Sequence, residues 1–160
     1  MTASRNEEGA RGGTRGSPAS RAPFKFSATT RVGFSDTDAQ GVVYYGRYMP
    51  YFDLARVEYH RHLDMLRTEP SDRQFVMRAM TVEYHAPARF DDPIEVDVRI
   101  KRIGTSSVTY EFAAYIDGET LAVTATQTAV LVDMTDRRPC PVPDWWRAKI
   151  REFEGDDVDA

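Results

Sequence analysis

Residues Ser35–Arg61 read SDTDAQGVVYYGRYMPYFDLARVEYHR, and the hydrophobic period changes inside this stretch. From about Gly46 to Leu66, Phe52, Ala55, Tyr59, Leu63 and Leu66 recur at steps of three and four, which lines one face of a helix. Asp53, Arg56, His60, Asp64 and Arg67 fall largely on the opposite side. Pro50 limits the start of that helix, because proline is tolerated only in a first turn, where the N–H has no intrahelical acceptor. The regular helix is therefore expected to begin near Gly46 or Arg47. Just upstream, Phe24–Phe34 alternates apolar and polar residues over part of its length and predicts a strand.

Downstream the period is two. Phe75–Tyr84 predicts a second strand, and HAPARFDD is a bend bounded by Pro87 and Pro93. Ile94, Val96, Val98 and Ile100 alternate with Glu95, Asp97, Arg99 and Lys101, the pattern of a half-buried strand with one wet face. Val108, Tyr110, Phe112, Ala114 and Ile116 repeat it. Asp117-Gly118 is a hairpin signal leading into a strand over 119–133. A short helix capped by Asp144 and anchored by Trp145 and Trp146 closes the chain near Phe153. Successive alternating strands with one long helix after the first predict an α+β fold: an antiparallel sheet that buries the apolar face of the helix.

The whole chain has 160 residues, net charge −4 and one cysteine. That size suits one domain, over about 23–153. Residues 1–22, rich in Gly, Ser, Arg and Ala, are expected to be disordered, and 154–160 to form an acidic tail. The charge advertises no nucleic-acid partner. No apolar run approaches the roughly 18 residues of a membrane span, and the N-terminus lacks the apolar core of a secretory signal. The lone Cys140 excludes a disulfide framework and fits a cytoplasmic location.

Two aspartates precede the long helix. A helix N-terminus carries partial positive charge and unpaired N–H groups, so it can polarise a carbonyl and stabilise an oxyanion. A carboxylate held beside it, without being spent as the cap, can attack that carbonyl or activate water. Asp38 stands about eight residues before the helix, across a turn that Gly41 eases. Asp36 is expected to hold the loop through hydrogen bonds. Glu58 is expected to be solvated or paired with Arg61 or His62, and His60, His62 and His85 to lie at the surface or an interface. Tyr44, Tyr45, Tyr48 and Tyr51 suit either packing or a pocket wall.

The stretch resembles the signature of the 4-hydroxybenzoyl-CoA thioesterase family, through Asp36, Thr37, Asp38, Gly41, Val42, Val43, Tyr44, Tyr48, Phe52, Ala55 and Arg56. A second family segment is matched by Pro87, Ala88, Arg89, Asp91 and Asp92. The resemblance is nearest to the members associated with the Tol-Pal system and spans Thr30 to about Pro143. It implies the hotdog fold, a five-stranded antiparallel sheet wrapped around one long helix, with subunits joined edge to edge as a homodimer or homotetramer. It implies an acyl-CoA thioesterase. Asp38 would be nucleophile or general base, the Tyr45 backbone N–H would bind the thioester oxygen, Gly41 would shape the loop, and Tyr44 and Tyr48 would line the acyl pocket. No metal or cofactor is implied. Where several relatives carry His, this chain has Tyr45, which leaves only the backbone role. An acyl carrier protein in place of CoA and a non-catalytic acyl-thioester-binding module are the alternatives. A hydratase would pair a histidine with the carboxylate, and the first histidine after Asp38 is His60, far down the helix.

Overall fold

The computed structural model describes residues 16–17, 21–67 and 71–159. Its elements are β1 (Gly16–Ser17), β2 (Ser27–Arg31), α1 (Tyr48–His62), β3 (Arg73–Tyr84), β4 (Pro93–Ile103), β5 (Ser107–Ile116), β6 (Thr120–Asp133) and α2 (Asp144–Glu154). One sheet has the order β1-β2-β4-β5-β6-β3, with every pair antiparallel. Strands β2 to β6 form the expected five, and the two residues of β1 extend the edge beside β2. With α1 against the sheet and the short α2 at the end, this is the hotdog architecture.

The hairpin signal between β5 and β6 works as its residues dictate. Asp117 and Gly118 both take positive φ, 52° and 71°, the backbone a tight antiparallel turn requires. The apolar face of α1 is buried through Tyr48, Tyr51, Phe52, Ala55 and Tyr59. It meets the inward residues of the sheet: the Phe52 and Phe112 rings stand 4.9 Å apart, and Val96, Val98 and Ile100 are fully buried. The helix begins two residues later than Gly46, because a 3-10 turn at Tyr45–Arg47 precedes it. It ends at His62, where Asp64 turns the chain at φ 55°.

Several expectations are corrected. The outer face of β4 is not wet: Asp97 is fully buried and Arg99 nearly so. Arg21, from the expected tail of residues 1–22, covers Asp97 at 3.1 Å and lies 3.9 Å over the Tyr115 ring. The remainder of residues 1–20 lies outside the described residues, apart from Gly16–Ser17. Residues 154–160 do not hang free as an acidic tail over their described length. Glu154 is completely buried, where its Oε1 accepts from the Tyr59 hydroxyl at 2.6 Å and the Ile100 N–H at 3.1 Å. The Asp159 backbone then bonds Lys101 and Ile103. Asp144 is the first helical residue rather than the cap, which Pro143 occupies.

Candidate active site

The loop between β2 and α1 is built as a miniature hairpin. Thr37 and Val43 form an antiparallel bridge. The Asp38 N–H donates to the Val42 carbonyl at 2.9 Å, and the Gly41 N–H returns to the Asp38 carbonyl at 3.0 Å. Gly41 sits at φ +73°, a conformation that costs an L-residue with a Cβ about 1–2 kcal/mol. The Asp38 Oδ1 accepts from the Gln40 N–H at 2.8 Å, an Asx turn that orients the carboxylate. Its Oδ2 accepts from no described group. Asp38 is partly exposed, as a reacting carboxylate must be.

From Val43 the chain is pinned on both sides. The Val43 N–H donates to the Ala88 carbonyl at 2.8 Å, and the Tyr44 N–H to the Asp36 carbonyl at 2.9 Å. The chain then enters the 3-10 turn that feeds α1. The Arg47 N–H closes this turn on the Tyr44 carbonyl, whereas the Tyr45 N–H has no acceptor among the described residues. An unspent N–H at the positive end of a helix is a ready donor to an oxyanion. The Tyr45 carbonyl is held from the other direction by the Tyr84 hydroxyl at 3.0 Å, so the last residue of β3 fixes the turn.

Asp36 anchors the assembly. Its carboxylate accepts from Arg47 at 2.6 and 2.9 Å, from the Tyr51 hydroxyl at 2.7 Å and from the Gly33 N–H at 2.9 Å. Burial alone would raise its pKa, but the Tyr51, Arg47 and Gly33 hydrogen bonds outweigh burial and hold it below the usual carboxylate range. Tyr51 is driven the other way, well above its ordinary value, by burial and by the Asp36 charge. Asp36 thus has the structural role its position suggests, and its four donors leave it no capacity for chemistry.

The tyrosines separate. Tyr44 and Tyr45 are exposed, with ring centroids 4.3 Å apart. The Tyr44 phenol is pushed up by hydrogen bonding to Tyr45, then by burial, the Tyr45 charge and the Asp38 charge. Tyr48, expected beside Tyr44 on a pocket wall, is instead buried in the core against Tyr51, Phe52 and Tyr84. His60, expected at the surface or an interface, turns toward Tyr110. Its Nε2 lies 2.7 Å from the Tyr110 hydroxyl, and burial, then the Arg56 charge, pushes its pKa down to about 4. Glu58 pairs with Arg61 as expected. Arg47 and Tyr84 escaped the sequence reading. Arg47 stands 11 residues from its partner, and Tyr84 stands 39 residues from Tyr45; neither contact has a periodic signature. Among the described residues no three His, Cys, Asp or Glu side chains gather where they could hold a metal.

This architecture, a hotdog sheet with a carboxylate-bearing loop leading into the long helix, is shared with thioester hydrolases. The chain belongs to the thioesterase-like superfamily, whose family model matches residues 32–150. It is 35% identical to the acyl-CoA thioester hydrolase YbgC of Escherichia coli O6:H1 over 131 residues, 81% of this chain and 96% of that one. The acyl-CoA thioesterase YbgC of Haemophilus influenzae is 30% identical over 121 residues, 74% of this chain and 88% of that one. A thioesterase from Thermus thermophilus, solved in complex with coenzyme A and zinc, superimposes with a TM-score of 0.69 at 30% identity, covering 81% of this chain and 94% of the other.

Proposed function

We propose that the chain is an acyl-CoA thioesterase of the 4-hydroxybenzoyl-CoA thioesterase type, with Asp38 as its reacting carboxylate. The observation that carries this reading is that one short, hydrogen-bonded loop holds both an Asp38 Oδ2 and a Tyr45 N–H that have no partner among the described residues. The thioester oxygen is received by the Tyr45 N–H, which is worth most when negative charge develops on that oxygen. Asp38 then attacks the thioester carbon, expelling the CoA thiolate and leaving a mixed anhydride that water cleaves to the free acid and Asp38. Alternatively it takes the proton of a water that attacks directly. Asp36 and Gly41 position the loop; Tyr44 stands at the entrance.

The subunits of a homodimer or homotetramer join along β3, whose outer edge has no partner strand among the described residues over its 12 residues. A long open edge of this kind invites strand pairing. The family resemblance and the lone reduced cysteine support a cytoplasmic enzyme.

The test is thiol release from short, long and aromatic acyl-CoAs by wild type and Asp38→Asn side by side. The variant is expected to lose at least about a hundredfold in turnover, the usual scale of a positioned acid–base group or more, with an unchanged melting temperature. Undiminished turnover in the folded variant would remove Asp38 from the mechanism. Acyl-CoA binding by wild type with no thiol release would leave a binding module or an acyl-carrier-protein substrate.

A further inference from the structure

Strand β3 changes phase half way along. Met77 pairs with Ala129 and Ala79 with Thr128, so Arg78 is an extra residue opposite no residue of β6, which makes a β-bulge. Before the bulge Phe75 packs on the core, and after it Met80 and Val82 do. The inward residues are odd-numbered on one side of Arg78 and even-numbered on the other, as a one-residue slip requires. Tyr84 inherits the even phase. Its ring stands 5.9 Å from that of the buried Tyr48, and its hydroxyl reaches the Tyr45 carbonyl. An unbroken alternation would turn Tyr84 to the other face of the sheet.

Three hydrogen bonds hold the peptide planes around the Tyr45 N–H. The plane before it is fixed by the Tyr44 N–H on the Asp36 carbonyl at 2.9 Å, and its own plane by the Arg47 N–H on the Tyr44 carbonyl at 2.8 Å. The plane after it carries the Tyr45 carbonyl, which accepts from the Tyr84 hydroxyl at 3.0 Å. The first two holds are local to the loop and its turn; the third comes from the sheet. Burial, then the neighbouring Tyr45, raises the Tyr84 phenol above its ordinary value, so near neutral pH it stays protonated and donating. Direction matters for the Tyr45 N–H, because a hydrogen bond weakens steeply as it bends. A donor already aimed at the place where charge develops needs no reorganisation during the reaction.

We propose that Tyr84 is a positioning residue for the thioester chemistry: its hydroxyl, placed by the Arg78 bulge, sets the direction of the Tyr45 N–H toward the thioester oxygen. The proposal rests on the reading of the Asp38–Tyr45 loop as the active site. The effect passes through the Tyr45 peptide and needs no contact between Tyr84 and the substrate. It acts on the transition state more than on the bound ground state, because the worth of an aimed N–H grows with the charge on the oxygen it receives.

Tyr84→Phe removes the hydroxyl and keeps the ring against Tyr48. The full-length variant in its native assembly is expected to turn over acyl-CoA about three- to ten-fold more slowly at saturation, the worth of one hydrogen bond, with KM unchanged. Unchanged sedimentation shows that the variant is folded and assembled. An undiminished kcat overturns the proposal, as does a raised KM with unchanged kcat, which would mark Tyr84 as serving binding alone. A ketone analogue of acyl-CoA, with methylene in place of sulfur and an isotope-labelled carbonyl, gives a readout that packing alone does not move. Its carbonyl stretch is expected to fall in frequency on binding to wild type, and to lie nearer its free value in Tyr84→Phe. The same bound stretch in both proteins overturns the positioning role. Asp38→Asn is expected to shift the stretch as wild type does, so the comparison stands even if Asp38 is not the reacting group. A wild type that binds the ketone but releases no thiol would sink the thioesterase reading and leave the stretch to decide the role of Tyr84. No shift on mixing the ketone with wild type overturns the donor and its positioning together.

Discussion

At the scale of single residues, two aspartates two positions apart have opposite fates. Asp36 is buried and saturated by Arg47, Tyr51 and Gly33; Asp38 is partly exposed and keeps one oxygen free. Saturation makes Asp36 a stability residue. Asp36→Asn replaces one acceptor oxygen with a donor that faces either the Arg47 donors on Oδ1 or the Tyr51 and Gly33 donors on Oδ2, and is expected to cost roughly 2–3 kcal/mol, read as a lowered urea midpoint. The pH dependence has a definite sign. A carboxylate with a depressed folded pKa stabilises above its ordinary pKa of about 4 and loses that contribution as pH falls below it. The difference between wild type and Asp36→Asn is therefore expected to be largest near neutrality and to shrink in acid. A gap independent of pH would show that Asp36 acts by shape rather than charge.

At the scale of elements, β3 is the long strand at the edge of the sheet. Among the described residues it pairs with β6 along one side only, and Met77 and Tyr84 stand about half exposed on it. Tyr84 also holds the Tyr45 turn, so the free edge and the candidate oxyanion donor are mechanically one unit. Met77→Glu puts a charge on that edge and is expected to shift the protein from an oligomer to a monomer in sedimentation velocity, with thiol release falling in parallel. A wild type that sediments as a monomer would refute edge pairing. Helix α1 shows a complementary division. Its N-cap Arg47 and first-turn Tyr51 serve the loop, and His60 in its last turn meets Tyr110.

At the scale of the whole molecule, Arg21 and the segment around Asp157 close over the outer face of the sheet. Arg21 bonds Glu95, Asp97 and the Gly118 carbonyl, and Arg99 reaches the Asp157 carbonyl at 2.8 Å. Burial raises the Asp97 pKa to about 6 despite Arg21. A carboxylate with a raised folded pKa stabilises most when protonated, and that contribution is lost as pH rises through about 6. Arg21 moderates the loss by pairing with the charged form. Arg21→Ala is therefore expected to lower the melting temperature more at pH 8, where Asp97 is ionised, than at pH 5, where it is mostly protonated. An equal loss at both pH values would show that Arg21 contributes packing over Tyr115 rather than charge.

The sequence by itself determined the elements and the loop that carries the candidate chemistry. The three- and four-residue steps of Phe52, Ala55 and Tyr59 and the strict alternation from Ile94 to Ile100 are local geometry, written at the period of the backbone. So are the glycine at φ +73° and the Asp-Gly turn. The tertiary structure alone decided what covers each face. Alternation marks Asp97 and Arg99 as pointing away from the helix, and it cannot show that Arg21 and Asp157, far apart in sequence, come to cover them. It likewise places His60 on the polar side of α1 without revealing that Tyr110 and Trp146 enclose it. Long-range partners leave no period in a sequence, because they are chosen by the closure of the sheet and not by the rise of a helix or the pleat of a strand.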